Sequence, residues 1–415
     1  MRSGLIRPDL RLFLALVLLA GGPPSAAMDM RVLPDSVSDA MAQATPQAMA
    51  EYHRKLREYE EAQAPFNAYW NSISEKRRGR NAKRRAGQQI TLEDYVLTQP
   101  PVYTGPRKPV DPSAPERPRK TLPMVPDLIQ AASEHFQFAP QRPATDAEFK
   151  RAYARVAAAA GLTREQAVRV YSFETGGNGN YDMQSGYRGP GTRPISTAIG
   201  YNQLLTTNSV ELFAEQGDAI LRALHEKAAT LSGAARKAMD SKIVVTRKMV
   251  AFAKSVPDTW SEHEKLANTE KGWALHAMVL DIDVGPHLQT HKLLTSIHFA
   301  RAKGHTKPLT AAELEMMNLT GDGTGLDMVT MPRAMREQVP TSNFFQRGGY
   351  ERNPVASRHN TVAKLLAVTD ERMDFKSGTP PGEKHAEMLR AVVEISKAED
   401  LLKPGADGDK AIREV

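Results

Sequence analysis

The 415-residue chain contains no cysteine, which excludes disulfides, thiolate metal centres and cysteine nucleophiles. Aromatic residues make up only 6%, while alanine is plentiful, a balance that leans helical. Beyond the first segment, no apolar run is long enough to span a bilayer. A Gly-x-Ser-x-Gly nucleophile elbow is also missing. Acidic residues are outnumbered, 48 against 55 basic, leaving a net charge of +7. That favours anionic partners, and nucleic acid, acidic lipid and acidic envelope polymers all qualify on charge alone. The length suggests about two domains.

Residues 1–27 read as a secretory signal peptide. Arg2, Arg7 and Arg11 form a basic start, 12–20 (LFLALVLLA) an apolar core too short to span, and Ser25-Ala26-Ala27 a small-residue cleavage site. Export combined with a cysteine-free mature chain points to a bacterial periplasm or cell envelope. Export also conflicts with nucleic acid as partner. Residues 28–98 read as a polar helical and basic N-terminal region without a convincing apolar stripe. Its run 76–85 (KRRGRNAKRR) is either an arm for an anionic envelope surface or a solvated, disordered charge run. Prolines recur through 99–126, which reads as an extended linker and spacer of polyproline type.

The compact part, 127–377, is expected to be mainly α. Asp146 can cap a helix in which Phe149, Tyr153 and Val156 follow helical spacing. Thr163 and Gln166 form a capping box opening a second helix that stops at Phe173-Glu174. Further helices are expected near 208–230, 234–254, 270–281, 286–303, 309–318 and 360–373. A loop is expected at 317–328, and 378–415 reads as a loose tail with one more helix near 383–402. Strand patterning is confined to 179–198.

Everything is arranged around 171–205, YSFETGGNGNYDMQSGYRGPGTRPISTAIGYNQLL. Glu174 ends a helix, Gly176 and Gly177 turn the chain, and a polar excursion returns to a second helical run at 200–204, where Gln203 should face the carboxylate. Glycosidic cleavage needs a carboxylic acid still protonated near neutral pH. A helix C-terminus and the nearby Tyr171 and Phe173 can both raise Glu174. Gln203 offers donor and acceptor to sugar hydroxyls or an acetamido group. The plain alternative is an exposed helix-end acid before an ordinary glycine turn.

Glu174-Thr175-Gly176-Gly177 resembles the Glu-Ser-Gly motif of the soluble lytic transglycosylases (the SLT domain), within the lysozyme-like superfamily. Gly200-Tyr201-Asn202-Gln203-Leu204 resembles their Gly-Leu-Met-Gln-Leu motif. Asp281-Ile-Asp283-Val-Gly285-Pro-His-Leu288 resembles the segment before the third motif, and Met317-Asn318-Leu319-Thr320-Gly321 stands where the family has Tyr-Asn-Ala-Gly. Tyr350 takes the place of a late tyrosine. The resemblance covers roughly 145–370. It implies an α+β lysozyme-like fold with a small irregular β or loop excursion beside the glutamate, and no cofactor. It further implies a lyase acting on the glycan strands of peptidoglycan, the bacterial cell wall. The β-1,4 bond from N-acetylmuramic acid to N-acetylglucosamine would break without water, and the muramyl C6 hydroxyl would close a 1,6-anhydro ring. Glu174 would be acid and then base. Thr175, Gly200, Tyr201, Gln203, Asn318 and Tyr350 would contact substrate, Asn318 orienting the acetamido group or the glutamate. The chain departs from the family at Asn202, Met317 and Leu319-Thr320, and by about sixty extra residues near 209–270 that read as a helical insertion.

Two rivals follow. Asp182, as a second carboxylate, would make the protein a hydrolytic muramidase, although it also suits a turn. A non-catalytic peptidoglycan-binding or scaffold protein of an envelope machine would keep the groove without the reaction. His287 and His291 share a helix face, but HLQTH lacks the base of HExxH, so a core or solvated face is expected. The 318–329 stretch imitates a calcium loop but ends on Val329, not glutamate. Met316 and Met317 read as core filling.

Overall fold

The computed structural model describes residues 45–114, 121–175 and 179–373. The signal segment, Gly176-Gly177 and the tail after 373 lie outside the described residues. The chain is mainly helical, with no strand among the described residues. Nor is any helix described here long and apolar enough to cross a membrane. Two compact units form. One takes the described residues of 45–121 together with 331–365, the other 122–330 with 366–373.

The first unit is organised by α1 (Pro46–Arg85), a 40-residue helix capped by Thr45 and carrying Pro65 inside it. The sequence shows no apolar stripe here because the buried face is mixed: Gln63, Phe66, Trp70, Ile73 and Arg80. The basic run is helical, and much of it is used within the unit. Arg80, 2% exposed, donates to the carbonyls of Asp94 and Asn343 and lies 4.4 Å from the centre of the Tyr95 ring. Arg77 donates to the Asn343 and Phe345 carbonyls, and Lys83 pairs with Asp94 at 2.7 Å. A guanidinium that satisfies several carbonyls can be buried where an unpaired charge cannot. The start of the Pro-rich stretch is non-helical, as expected, but packs back on α1 through Tyr103 against Phe66 and Tyr59.

In the second unit the helices are α2 (Val125–Phe136), α3 (Asp146–Ala159), α4 (Arg164–Thr175), α5 (Thr206–Ala229), α6 (Gly233–Ala253), α7 (Trp260–Ala267), α8 (Glu270–His276), α9 (Gly285–Ala302), α10 (Ala311–Thr320) and α11 (Asp322–Thr330). Helix α5 packs along α6, α2 along α8, and α10 against both α11 and α4. The remaining short helices, α12 (Arg333–Arg336), α13 (Arg347–Arg352) and α14 (Pro354–Arg358), belong to the first unit, and α15 (Val362–Met373) crosses the unit boundary. Residues 331–365, read from sequence as part of the glycan-cleaving domain, therefore group with the N-terminal region.

Several local expectations change. Thr145, not Asp146, caps α3, accepting from Glu148 N; Asp146 instead accepts from Tyr181 N and Tyr201 Oη. The 317–328 loop is two helices meeting at Gly321. A β-carbon on Gly325 would sit 2.3 Å from Met317 Cα, so glycine there serves close helix packing, not a loop. The 209–270 segment is integral, since Val210 and Phe213 of α5 have no exposed surface. The Thr163–Gln166 capping box forms in both directions, and Gln166 Nε2 also donates to Leu309 O, tying the start of α4 to the approach to α10.

A buried ion cluster holds α6 to the α8–α9 junction. Lys242 (3% exposed) bonds Asp281 at 2.9 Å and also Asp283, which Lys227 reaches at 2.5 Å. Asp281 accepts from the backbone N–H groups of Gln141, Asp283 and Val284. The DIDV segment is thus a structural latch.

Candidate functional site

Helix α4 carries Glu174 in its last turn, and α10 carries Asn318 in its own last turn. Packing of α10 on α4 brings together two side chains 144 residues apart: Asn318 Nδ2 donates to Glu174 Oε1 at 2.7 Å. The same nitrogen lies 3.4 Å from Glu315 Oε2. Glu315 and Asn318 are three apart on one helix, hence on one face. Glu315 is 1% exposed, whereas Glu174 keeps partial exposure, and the two carboxyl groups are within hydrogen-bonding range of each other.

Burial pushes Glu174 up to about 7, against the opposing pull of the Lys292 ammonium and of the hydrogen bonds from Glu315 and Asn318. Glu315 is raised well above the usual carboxylate range, first by burial and then by the charge of Glu174. Two carboxylates in contact cannot both ionise cheaply, so the pair titrates as a unit. A small pocket, open to solvent, reaches the pair through Asn318; Asn208, Glu211, Lys292, Ser296 and Asp322 are among its other lining residues, and neither carboxyl group lines it. Helices α5, α9, α10 and α11 all contribute to it, so the expected insertion supplies one wall.

The other expected site residues make the following contacts within the fold. The 200–204 stretch is a tight turn, not a helix. Ile199 and Leu204 exchange both backbone hydrogen bonds at 3.0 Å, and α5 begins only at Thr206. Gly200 adopts φ +83°, and a β-carbon on it would fall 2.2 Å from Gln289 Nε2. Gln289 and Asn202 fasten this turn to α9: Asn202 N donates to Gln289 Oε1 at 2.8 Å, and Asn202 Nδ2 to Gln289 O at 2.9 Å. The Gln203 side chain is turned onto its own loop. Its Nε2 donates to Gly200 O and Met183 O, stabilising a residue at φ 44°. Tyr201 is fully buried among Phe149, Tyr153 and Tyr171, its hydroxyl on Asp146. Thr175 is buried and donates to Tyr171 O. Tyr350 is buried in the other unit against Trp70 and Phe345. Asp182 is ion-paired with Arg142 at 2.5 Å.

The fully buried His276 bridges Ser209 Oγ and Thr197 O, pinning the returning excursion to α5 and α8. Burial pushes it down to about 4, as it does His287 and His291, whose rings stack at 6.3 Å. Among the described residues no group of three or more His, Cys, Asp or Glu could hold a metal. The histidine shifts carry a stability prediction. A folded-state pKa below the unfolded value means that the unfolded chain binds the extra proton. Stability should therefore fall as pH drops from about 6.5 to about 4, by up to about 3 kcal/mol for His276. Urea unfolding at pH 7, 5.5 and 4.5, with His276→Gln for comparison, measures this; a flat profile would contradict it.

Sequence reasoning missed Glu315, Lys292 and Gln289. Only Glu315 left a trace, as the Glu-x-x-Asn spacing before Asn318. Comparison with protein-family models, curated proteins and solved structures returns no match.

Proposed function

We propose that this protein is an exported, lysozyme-like enzyme that cleaves the glycan strands of peptidoglycan by the lytic transglycosylase route. The observation that carries the reading is the 2.7 Å contact between Asn318 and a Glu174 raised to about 7. Glu174 then holds a proton near neutral pH and can give it to the glycosidic oxygen. With that proton gone, Asn318 steadies the carboxylate, which next removes the proton of the muramyl C6 hydroxyl as that oxygen closes the anhydro ring. The substrate's acetamido oxygen supports the cationic stage, so no second carboxylate across the sugar is required. Asp182, held by Arg142, favours this over the hydrolytic scheme. The basic run retains exposed members, Arg78 and Arg85 among them, for an anionic envelope surface.

Digestion of purified sacculi followed by mass analysis of the fragments tests the proposal. Anhydro-muramyl ends are expected. Reducing muramyl ends would make it a muramidase, and binding without fragments would leave the scaffold. Because donation requires protonated Glu174, kcat/KM should fall as pH rises through about 7; a rate still climbing at pH 8.5 would remove Glu174 as the acid.

A further inference from the structure

We propose that Glu315 is a positioning residue that stays neutral and donates its carboxyl O–H to Glu174, fixing the Glu174 carboxyl group and stabilising its carboxylate once the proton has left. The inference rests on Glu174 being the acid of the proposed reaction.

Three observations carry it. Glu315 is almost fully enclosed, Asn318 Nδ2 reaches both carboxyl groups, and those groups are in direct hydrogen-bonding range. The charged neighbours are Lys292 from α9, whose ammonium acts on both groups, with Glu211 from α5 and Asp322 from α11 lining the adjoining pocket. Along α4, Arg169 is engaged by Glu165 and Asp370. One nearby ammonium does not compensate two touching carboxylates, so one group keeps its proton. The deeper group loses more hydration on ionising, and that is Glu315.

Contact also defines what Glu315 is not. A retaining glycosidase separates its carboxyl groups by about 5–5.5 Å and an inverting one by about 6.5–9.5 Å, leaving room for sugar or water. A hydrogen-bonded pair leaves none, so Glu315 stands behind Glu174 rather than across the substrate. When Glu174 donates, its O–H bond breaks, the electron pair stays on its carboxylate, and the proton joins the leaving oxygen. The Glu315 O–H bond remains intact and shortens its contact with the new anion.

The test uses full-length protein labelled with 13C at glutamate carboxyls, the Glu174 resonance being assigned by its loss in Glu174→Gln. Glu315→Gln keeps a neutral donor and should leave Glu174 titrating near 7. Glu315→Leu removes the donor and should raise that value by about one to two pH units. On sacculi, Glu315→Leu should lower kcat about 10–100-fold with little change in KM, and Glu315→Gln should recover most of it. An unshifted or lowered Glu174 titration in the leucine variant would overturn the proposal. If that variant fails to fold, a downward shift in Glu315→Gln overturns it equally, since it would show that a negative charge had been removed. Titrations that move as stated while wild type releases no fragments would support the pair and remove the glycan-cleaving reading instead.

Discussion

Glu174→Gln is expected to leave the protein folded and to lower release of peptidoglycan fragments by about 10²–10⁴-fold. The substitution is nearly isosteric, and a glutamine Oε1 still accepts from Asn318 Nδ2, so the α4–α10 contact survives. What disappears is the transferable proton. Stability should change little near pH 6, where Glu174, raised to about 7 by burial, is largely neutral already. Sacculus digestion, run beside thermal unfolding of both proteins, separates the two effects. Full activity in a folded Glu174→Gln protein would end the assignment of Glu174 as the acid.

The largest expected loss of stability comes from Lys242→Met. The ammonium lies between Asp281, which has no exposed surface, and Asp283. Removing it leaves Asp281 with backbone donors but no charge partner, while Lys227 still reaches Asp283. Breaking a buried pair from one side costs about 3–5 kcal/mol, since the stranded charge cannot regain water. Burial already pushes the Asp281 carboxyl above its ordinary range, so the variant should protonate Asp281 and lose less at lower pH. Adding Asp281→Asn should recover part of the loss. Urea unfolding of the single and double variants measures the coupling; strict additivity would mean that the latch is no interaction at all.

How far the chain could be read without coordinates is clearest at the helix ends. The Thr163–Gln166 box was legible because both partners lie within one turn and depend on nothing distant. The same holds for Glu174 near a helix terminus. Asn318 was singled out by resemblance alone, and its contact with Glu174 is a tertiary fact. The 200–204 turn was misread as helix because its conformation is imposed by Gln289 from α9, 87 residues away. Tyr201, read as a cleft residue, is buried for the same reason, as nothing local says which way a side chain in a constrained turn will face. Of the two readings of the basic run, the solvated and disordered one gives way, because Arg77 and Arg80 are taken up by carbonyls near residue 343, invisible from the run itself.

The sequence by itself determined the helical class and most helix positions, since helical spacing, capping and glycine breaks act over a few residues. Only the tertiary structure decided that Glu174 has a buried carboxyl partner. Glu315 is an ordinary glutamate on a helix until α10 packs on α4, and burial, not residue type, raises it above the usual carboxylate range.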